Sequence, residues 1–218
     1  FSQLPHDWVQ RNMGITGVRT WQELNGIPAI GFEAMQEAKH SICNSRSFAS
    51  EIYDRKELME QVAKFASMTA TKLREQHSLC SELTVFAATN RFHADELQQY
   101  GNITIQMAEP TDSTIEIVRT AREALIEIYV PGVGYKKAGV VISKLIPESG
   151  VVRSLFADTA AIERENRLSS AMDAINHTFG RGAVKMGIQG SGRIKSSSES
   201  QSPHYTTRWS DIPKVTVK

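Results

Sequence analysis

Lys136 and Lys137 stand side by side at the start of Tyr135 to Leu145 (YKKAGVVISKL), a run whose later residues alternate as a strand does. Successive side chains of a strand point to opposite faces, so one ammonium group must lie on each face of the sheet. On a face with no helix over it a lysine has nothing apolar to pack on, and it stays cheaply only in water or against an anion. The outward residues that would share that face are Arg46 or its neighbours Ser45 and Ser47, then Thr84, Lys136 or Lys137, and Lys144. Cations and hydroxyls of this kind hold phosphate and sugar oxygens without reading bases. A polar sheet face turned to water gives the same pattern, and both readings stand at this point.

The residues that could do bond-breaking chemistry do not assemble. The six histidines (6, 40, 77, 93, 177 and 204) fall on different elements, and His93-Ala94-Asp95 is the nearest approach to a metal pair. No phosphate loop of the GxxxxGK[ST] kind and no GxSxG elbow occurs. Gly187 to Gly192 (GIQGSG) lacks the strand-turn-helix setting of a dinucleotide turn. Carboxylates sit singly on helix surfaces, with no cluster to hold paired magnesium ions. The chain by itself is expected to catalyse nothing and to carry neither metal nor cofactor.

The elements that must position the polar face follow from periodicity. Lys39 to Phe48 (KHSICNSRSF) reads as the first strand, expected at the centre of the sheet between two neighbours. Asp54 with Glu57 resembles a capping box and opens a helix to about His77, with Leu58, Val62, Phe65, Thr69 and Leu73 as its buried stripe. Ser81 to Thr89 turns Leu83, Val85 and Ala87 inward, and Ile103, Ile105 and Met107 repeat that alternation up to Pro110, which ends the strand. Ser113 with Glu116 opens a second helix to Tyr129, burying Ile115, Val118, Leu125 and Ile128. The order is βαββαβ, the split-βαβ arrangement, with two helices on one face. The fold class is therefore α+β, a βαββαβ sheet plus a small helical and irregular C-terminal extension.

Outside that block, residues 1 to 38 read as short helices broken at Met13-Gly14 and Thr16-Gly17 and stopped at Asn25-Gly26-Ile27-Pro28. Pro147 to Gly150 is a linker. A further helix from about Ala160 to Phe179 aligns Leu168, Met172, Ile175 and Phe179 on one stripe, and order is expected to resume only at His204 to Trp209.

At 218 residues the chain can bury a real core as one domain with an appendage or as two small ones. It begins at Phe1, which is expected of a cut-out or processed piece. No apolar run approaches the roughly 20 residues of a membrane span, and a cytoplasmic protein without a membrane partner is expected. Cys43 and Cys80 frame neither a disulfide set nor a zinc site. The net charge of +1 is uneven: residues 1 to 110 hold ten Lys/Arg against thirteen Asp/Glu, and the last forty-three hold seven against two. A basic tail fits a polyanion or a solvated end equally well.

Ser41-Ile42 with Ser45-Arg46-Ser47-Phe48, the segment Tyr135 to Val140, and Ser202 to Pro213 (SPHYTTRWSDIP) together resemble the C-terminal half of the UmuC branch of the Y-family translesion DNA polymerases. The resemblance covers nearly the whole chain, and the SPxYTTRW-type tail is its most specific part. It implies that residues 1–38 are the end of the thumb and its tether, 39–148 the little finger that holds the template-primer duplex, and 149–218 the UmuC-type extension. By position it implies DNA contact at Ser45, Arg46, Ser47, Thr89, Asn90, Arg91, Lys136, Lys137 and Lys144. The family's catalytic carboxylates and magnesium ions belong to a palm that would precede Phe1. Its sliding-clamp peptide aligns with Val152 to Phe156, keeping Leu155 and Phe156 while Val152 replaces the usual glutamine. The extension implies cleaved UmuD and the recombinase filament as partners, in the setting of SOS mutagenesis and DNA repair.

Two functions follow as expectations. The first is a DNA-binding fragment of an error-prone polymerase that grips the template-primer backbone. The alternative is a protein-interaction module that docks through Leu155-Phe156 and the Trp209 tail on the sliding clamp, UmuD or the recombinase.

Overall fold

The computed structural model describes residues 1–31, 38–92, 97–155, 157–190 and 202–213. The chain divides into two compact units, Phe1–Ala38 and Lys39–Lys218. In the first, helix α1 (His6–Leu24) is two helical pieces joined at Gly14, whose φ of 63° only glycine adopts without strain. Gly17 does not break the helix as its sequence predicts; it lies buried inside the second piece, against Met13. Asn25-Gly26 does end it, and the Glu23 carboxylate accepts the amides of Ala29 and Ile30. Those two hydrogen bonds hold Glu23 below the usual carboxylate range.

The second unit contains β1 (Ile42–Ile52), α2 (Arg55–Glu75), β2 (Ser78–Ala88), β3 (Tyr100–Thr111), α3 (Thr114–Ile128), β4 (Tyr135–Pro147) and α4 (Thr159–Phe179). The βαββαβ order is as read from the sequence. The sheet is antiparallel throughout in the order β1-β4-β2-β3. β1 is therefore an edge strand, not the central one; β4 and β2 hold the middle. Each crossover helix skips one strand: α2 leads from β1 past β4 to β2, and α3 from β3 past β2 to β4.

The helix starts are those that the side chains specify. Asp54 accepts the amide of Glu57, and Ser113 accepts that of Glu116; caps of this type contribute about 1 kcal/mol each. Leu58, Val62, Phe65, Thr69 and Leu73 of α2 are buried as expected. On α3 the core residues are Ile117, Val118, Ala121, Ala124 and Leu125, while Ile115 is only half-buried. A spacing of three or four fits either isoleucine, and the turn after the cap selects Ile117. Both helices share one core with Ile42, Leu83, Val85, Ala87, Val140 and Ile142, so both lie on the same side of the sheet.

Three irregularities depart from simple alternation, the first a register shift between the β1–β4 pairs Ser47–Lys137 and Ile52–Tyr135. β3 does not stop at Pro110; it runs on to Thr111 after a register shift between the pairs Glu82–Gln106 and Cys80–Thr111. A proline is tolerated there because β3 is an edge strand. In β4, Lys144 has a φ of 51°, rare for a residue with a Cβ. Alternation restarts there, and Leu145 packs toward the core opposite buried Cys80. Burial pushes the Cys80 thiol up to about 12.

The extension does not pack through the stripe that its periodicity predicts. Leu168, Ile175 and Phe179 are exposed. The docked side of α4 is polar: Glu165 accepts the Ser113 hydroxyl at 2.7 Å, Ser169 accepts the Thr114 amide at 3.1 Å, and Asp173 meets Arg74 at 2.6 Å. After Gly180, order resumes well before His204, for Met186 and Ile188 pack against the core.

Candidate nucleic-acid interface

The face opposite the helices is built by register. Directly opposed residues of antiparallel strands share a face, so Ser47, Lys137, Ala88 and Tyr100 form one row across β1, β4, β2 and β3. Ser45, Gly139, Phe86 and Asn102 form the next, and Cys43, Val141, Thr84 and Thr104 a third. This settles the choice that the sequence leaves open. Lys137, Ser45, Ser47 and Thr84 lie on the uncovered face. Arg46 pairs with buried Ala138, so it points to the helix side, where the edge position leaves it exposed. Lys136 lies at the register shift between the pairs Ser47–Lys137 and Ile52–Tyr135, and its Nζ donates to the carbonyl of Ala49 at 2.8 Å.

Gly139 explains how the middle of the face stays flat. A Cβ there would collide with that of Ser45 and lie 2.5 Å from Cζ of Phe86. The Phe86 ring occupies the space above the glycine, and Lys137 Nζ lies 5.9 Å from the ring centroid. That distance fits a weak cation–π contact, which holds the ammonium over the sheet.

Lys144 is placed differently from the other cations. Its Nζ is 2.5 Å from Glu82, which also accepts the Ser143 hydroxyl at 3.1 Å. The Lys144 hydrogen bond, then that of Ser143, holds the Glu82 carboxyl below its usual range. Lys144 is thus partly neutralised where it stands.

Thr89, Asn90 and Arg91 continue β2 into the hairpin tip. The Thr89 amide donates to the carbonyl of Gln99 at 3.0 Å, and Asn90 Oδ1 accepts the amide of Phe92 at 3.2 Å. Beyond this pair Arg91 lies over the Phe92 ring, 5.1 Å from its centroid. Alternation places Phe86 outward with Thr84 and Ala88, as the register shows, but gives no contact role to Phe86, Phe92 or Tyr100. The signal was the outward phase of Phe86 and Tyr100 in their strands.

Leu155 is 99% exposed. Phe156 and the His93-Asp95 pair lie outside the described residues. Among the described residues no group of three or more His, Cys, Asp or Glu could hold a metal ion. No helix among them is long and apolar enough to cross a membrane. In the tail, Asp211 accepts the amide of His204 at 3.1 Å and closes a turn from which Trp209 projects, 91% exposed.

A βαββαβ sheet with both helices on one face and a polar opposite face defines a class that sequence comparison then specifies. The impB/mucB/samB family C-terminal domain matches residues 39–155, and the chain belongs to that family. A domain of unknown function, DUF4113, matches residues 166–215. The chain is 33% identical over 208 residues to Protein SamB of Salmonella typhimurium, covering 94% of the chain and 49% of that protein. Protein UmuC of Salmonella typhimurium is 31% identical over 209 residues, 95% of the chain and 49% of that protein. DNA polymerase IV of Desulfatibacillum aliphaticivorans is 25% identical over 184 residues, 84% of the chain and 45% of that protein. The chain spans about half the length of these curated relatives.

Proposed function

We propose that this chain is the DNA-holding part of a UmuC-like translesion polymerase, gripping the template-primer backbone through its uncovered sheet face. In this reading residues 1–38 end the thumb, 39–148 are the little finger and 149–218 the extension. Nucleotidyl transfer, with its magnesium ions, belongs to other residues of the whole protein. The observation that carries the reading is the set of Ser45, Ser47, Thr84 and Lys137, from three adjacent rows, on the face opposite α2 and α3. Such groups meet phosphate and sugar on any sequence, which suits a protein that must travel along its template. Thr89, Asn90 and Arg91 extend the contact beyond the hairpin end, Arg46 borders it from the edge strand β1 and Lys136 from the start of β4, and Lys144 contributes once Glu82 releases it.

The test is binding of the chain to labelled primer-template duplexes over a salt series. Log affinity should fall linearly with log salt, and each phosphate that is no longer neutralised should lower the slope by about 0.9. Lys137→Glu should weaken unrelated sequences alike, by about tenfold, because it removes one phosphate-neutralising charge and adds one that repels. A salt-independent affinity, or equal binding by Lys137→Glu, would contradict the reading.

The exposure of Leu155 and Trp209 favours a second role beside the first, docking on the sliding clamp, cleaved UmuD or the recombinase filament. An exposed aliphatic or indole side chain gains from burial against a partner. Leu155→Ala should reduce clamp capture and leave the DNA salt slope unchanged; a changed slope with intact capture would argue against it.

A further inference from the structure

The uncovered face is not uniformly polar. Its hairpin end carries two aromatic rings, Phe86 and Tyr100 on neighbouring rows, with centroids 6.5 Å apart, and a third, Phe92, belongs to the loop that joins β2 to β3. Tyr100 is 65% exposed and Phe92 80%. Cations lie over two of the three, Lys137 over Phe86 and Arg91 over Phe92.

Duplex backbone gives such rings little to do. In a duplex the bases are paired and stacked on one another, and what reaches a protein face is phosphate and sugar, which hydroxyls and cations satisfy. Unpaired nucleotides differ, because each offers a base with an open π-face. Proteins that hold single strands combine aromatic rings for the bases with cations that track the phosphates. Tyr100 and Lys137 share the row of Ser47, and Phe86 shares that of Ser45, so rings and a cation adjoin the hydroxyls there.

We infer that this end of the face binds unpaired nucleotides adjoining the duplex, their bases stacking on Phe92 and Tyr100 and their phosphates meeting Arg91 and Lys137. The inference rests on the duplex reading, for it places the single strand where the duplex leaves the hydroxyl rows. The site selects for single-strandedness and not for base identity, since any base can stack.

The test compares the 218-residue chain on a blunt duplex, on the same duplex with a single-stranded oligothymidine extension, and on the oligothymidine alone. The extension should tighten binding about tenfold. Phe92→Ala and Tyr100→Ala should each remove most of that gain while the blunt duplex binds as before, and Phe92→Trp should keep it. Both positions are on the surface, and circular dichroism of each variant checks that the fold is intact. An extension that adds no affinity, a gain that survives both alanines, or an equal loss on blunt duplex would overturn the inference. Failure of the unmodified chain to bind blunt duplex would instead sink the duplex reading. In that event a Phe92-dependent affinity for the single strand would support the inference alone, and its absence would end both.

Discussion

Leu83→Ala is expected to lower the stability of the sheet unit by about 3–4 kcal/mol, whereas Thr84→Ala, one residue along, should cost under about 1 kcal/mol. Leu83 is fully buried on the central strand β2, opposite Ile142 of β4 and Ile105 of β3, with α2 and α3 closing the same core. Removing most of its side chain leaves a cavity that two sheet neighbours and two helices cannot all move to fill. Thr84 points the other way and shares one hydrogen bond with Thr104 at 2.8 Å in an exposed setting. Chemical denaturation of the two variants measures both costs. Equal costs would mean that the face described as uncovered is buried after all. DNA affinity at low temperature should show the reverse order, with Thr84→Ala the weaker binder.

Arg74→Met should cost about 2–3 kcal/mol, below the roughly 3–5 of a fully buried pair because Asp173 is still 29% exposed on its side chain. The guanidinium joins α2 to the extension: Nε and Nη2 meet the two Asp173 oxygens at 2.6 and 3.0 Å, and Nη1 donates to the carbonyl of Asp112. Methionine fills the space and pairs with nothing, so the Asp173 carboxylate is left half out of water without a counter-charge. Burial holds the Asp112 carboxyl above its usual range, with Arg74 opposing that shift. A carboxyl raised in the fold favours the folded state while protonated, and that contribution is lost as pH rises through its raised folded pKa. Removing Arg74 therefore costs most when the Asp112 carboxylate is ionised. The melting-temperature gap between variant and parent should narrow as pH falls through the raised folded pKa of Asp112, above the ordinary carboxylate range. A gap that is constant with pH would show that the side chain acts by packing alone. Limited proteolysis should find α4 released before the sheet melts.

The helices and the inward residues of each strand were legible because both depend on local spacing. Asp54 and Ser113 cap where their spacing says, and Leu83, Val85 and Ala87 point where alternation sends them. Strand order was not legible in that way. Alternation says which face a residue takes and nothing about its neighbours, so β1 read as central although its exposed Arg46 suits an edge. The lysine pair shows the same limit: period two demanded one on each face, and only the register opposite Ser47 and Ala88 named Lys137. The α4 stripe failed for another reason. Leu168, Ile175 and Phe179 have helical spacing, yet the neighbouring surface offers the Ser113 hydroxyl, the Thr114 amide and Arg74, and it draws the polar side of the helix instead. Periodicity describes one helix and cannot see what it meets. The aromatic end of the face was overlooked because each ring alone looks like an ordinary strand or loop residue.

The polar docking of α4 also bears on how such a chain can change length. Ser113 keeps its bond to the Glu116 amide whether or not Glu165 is present, and the Thr114 amide, at a helix start, can turn to water when Ser169 is gone. The caps and strand pairings beneath α4 are complete without it. The seam between α3 and α4 is therefore a place where a segment can be added, exchanged or shed in evolution without redesigning the sheet that would meet DNA.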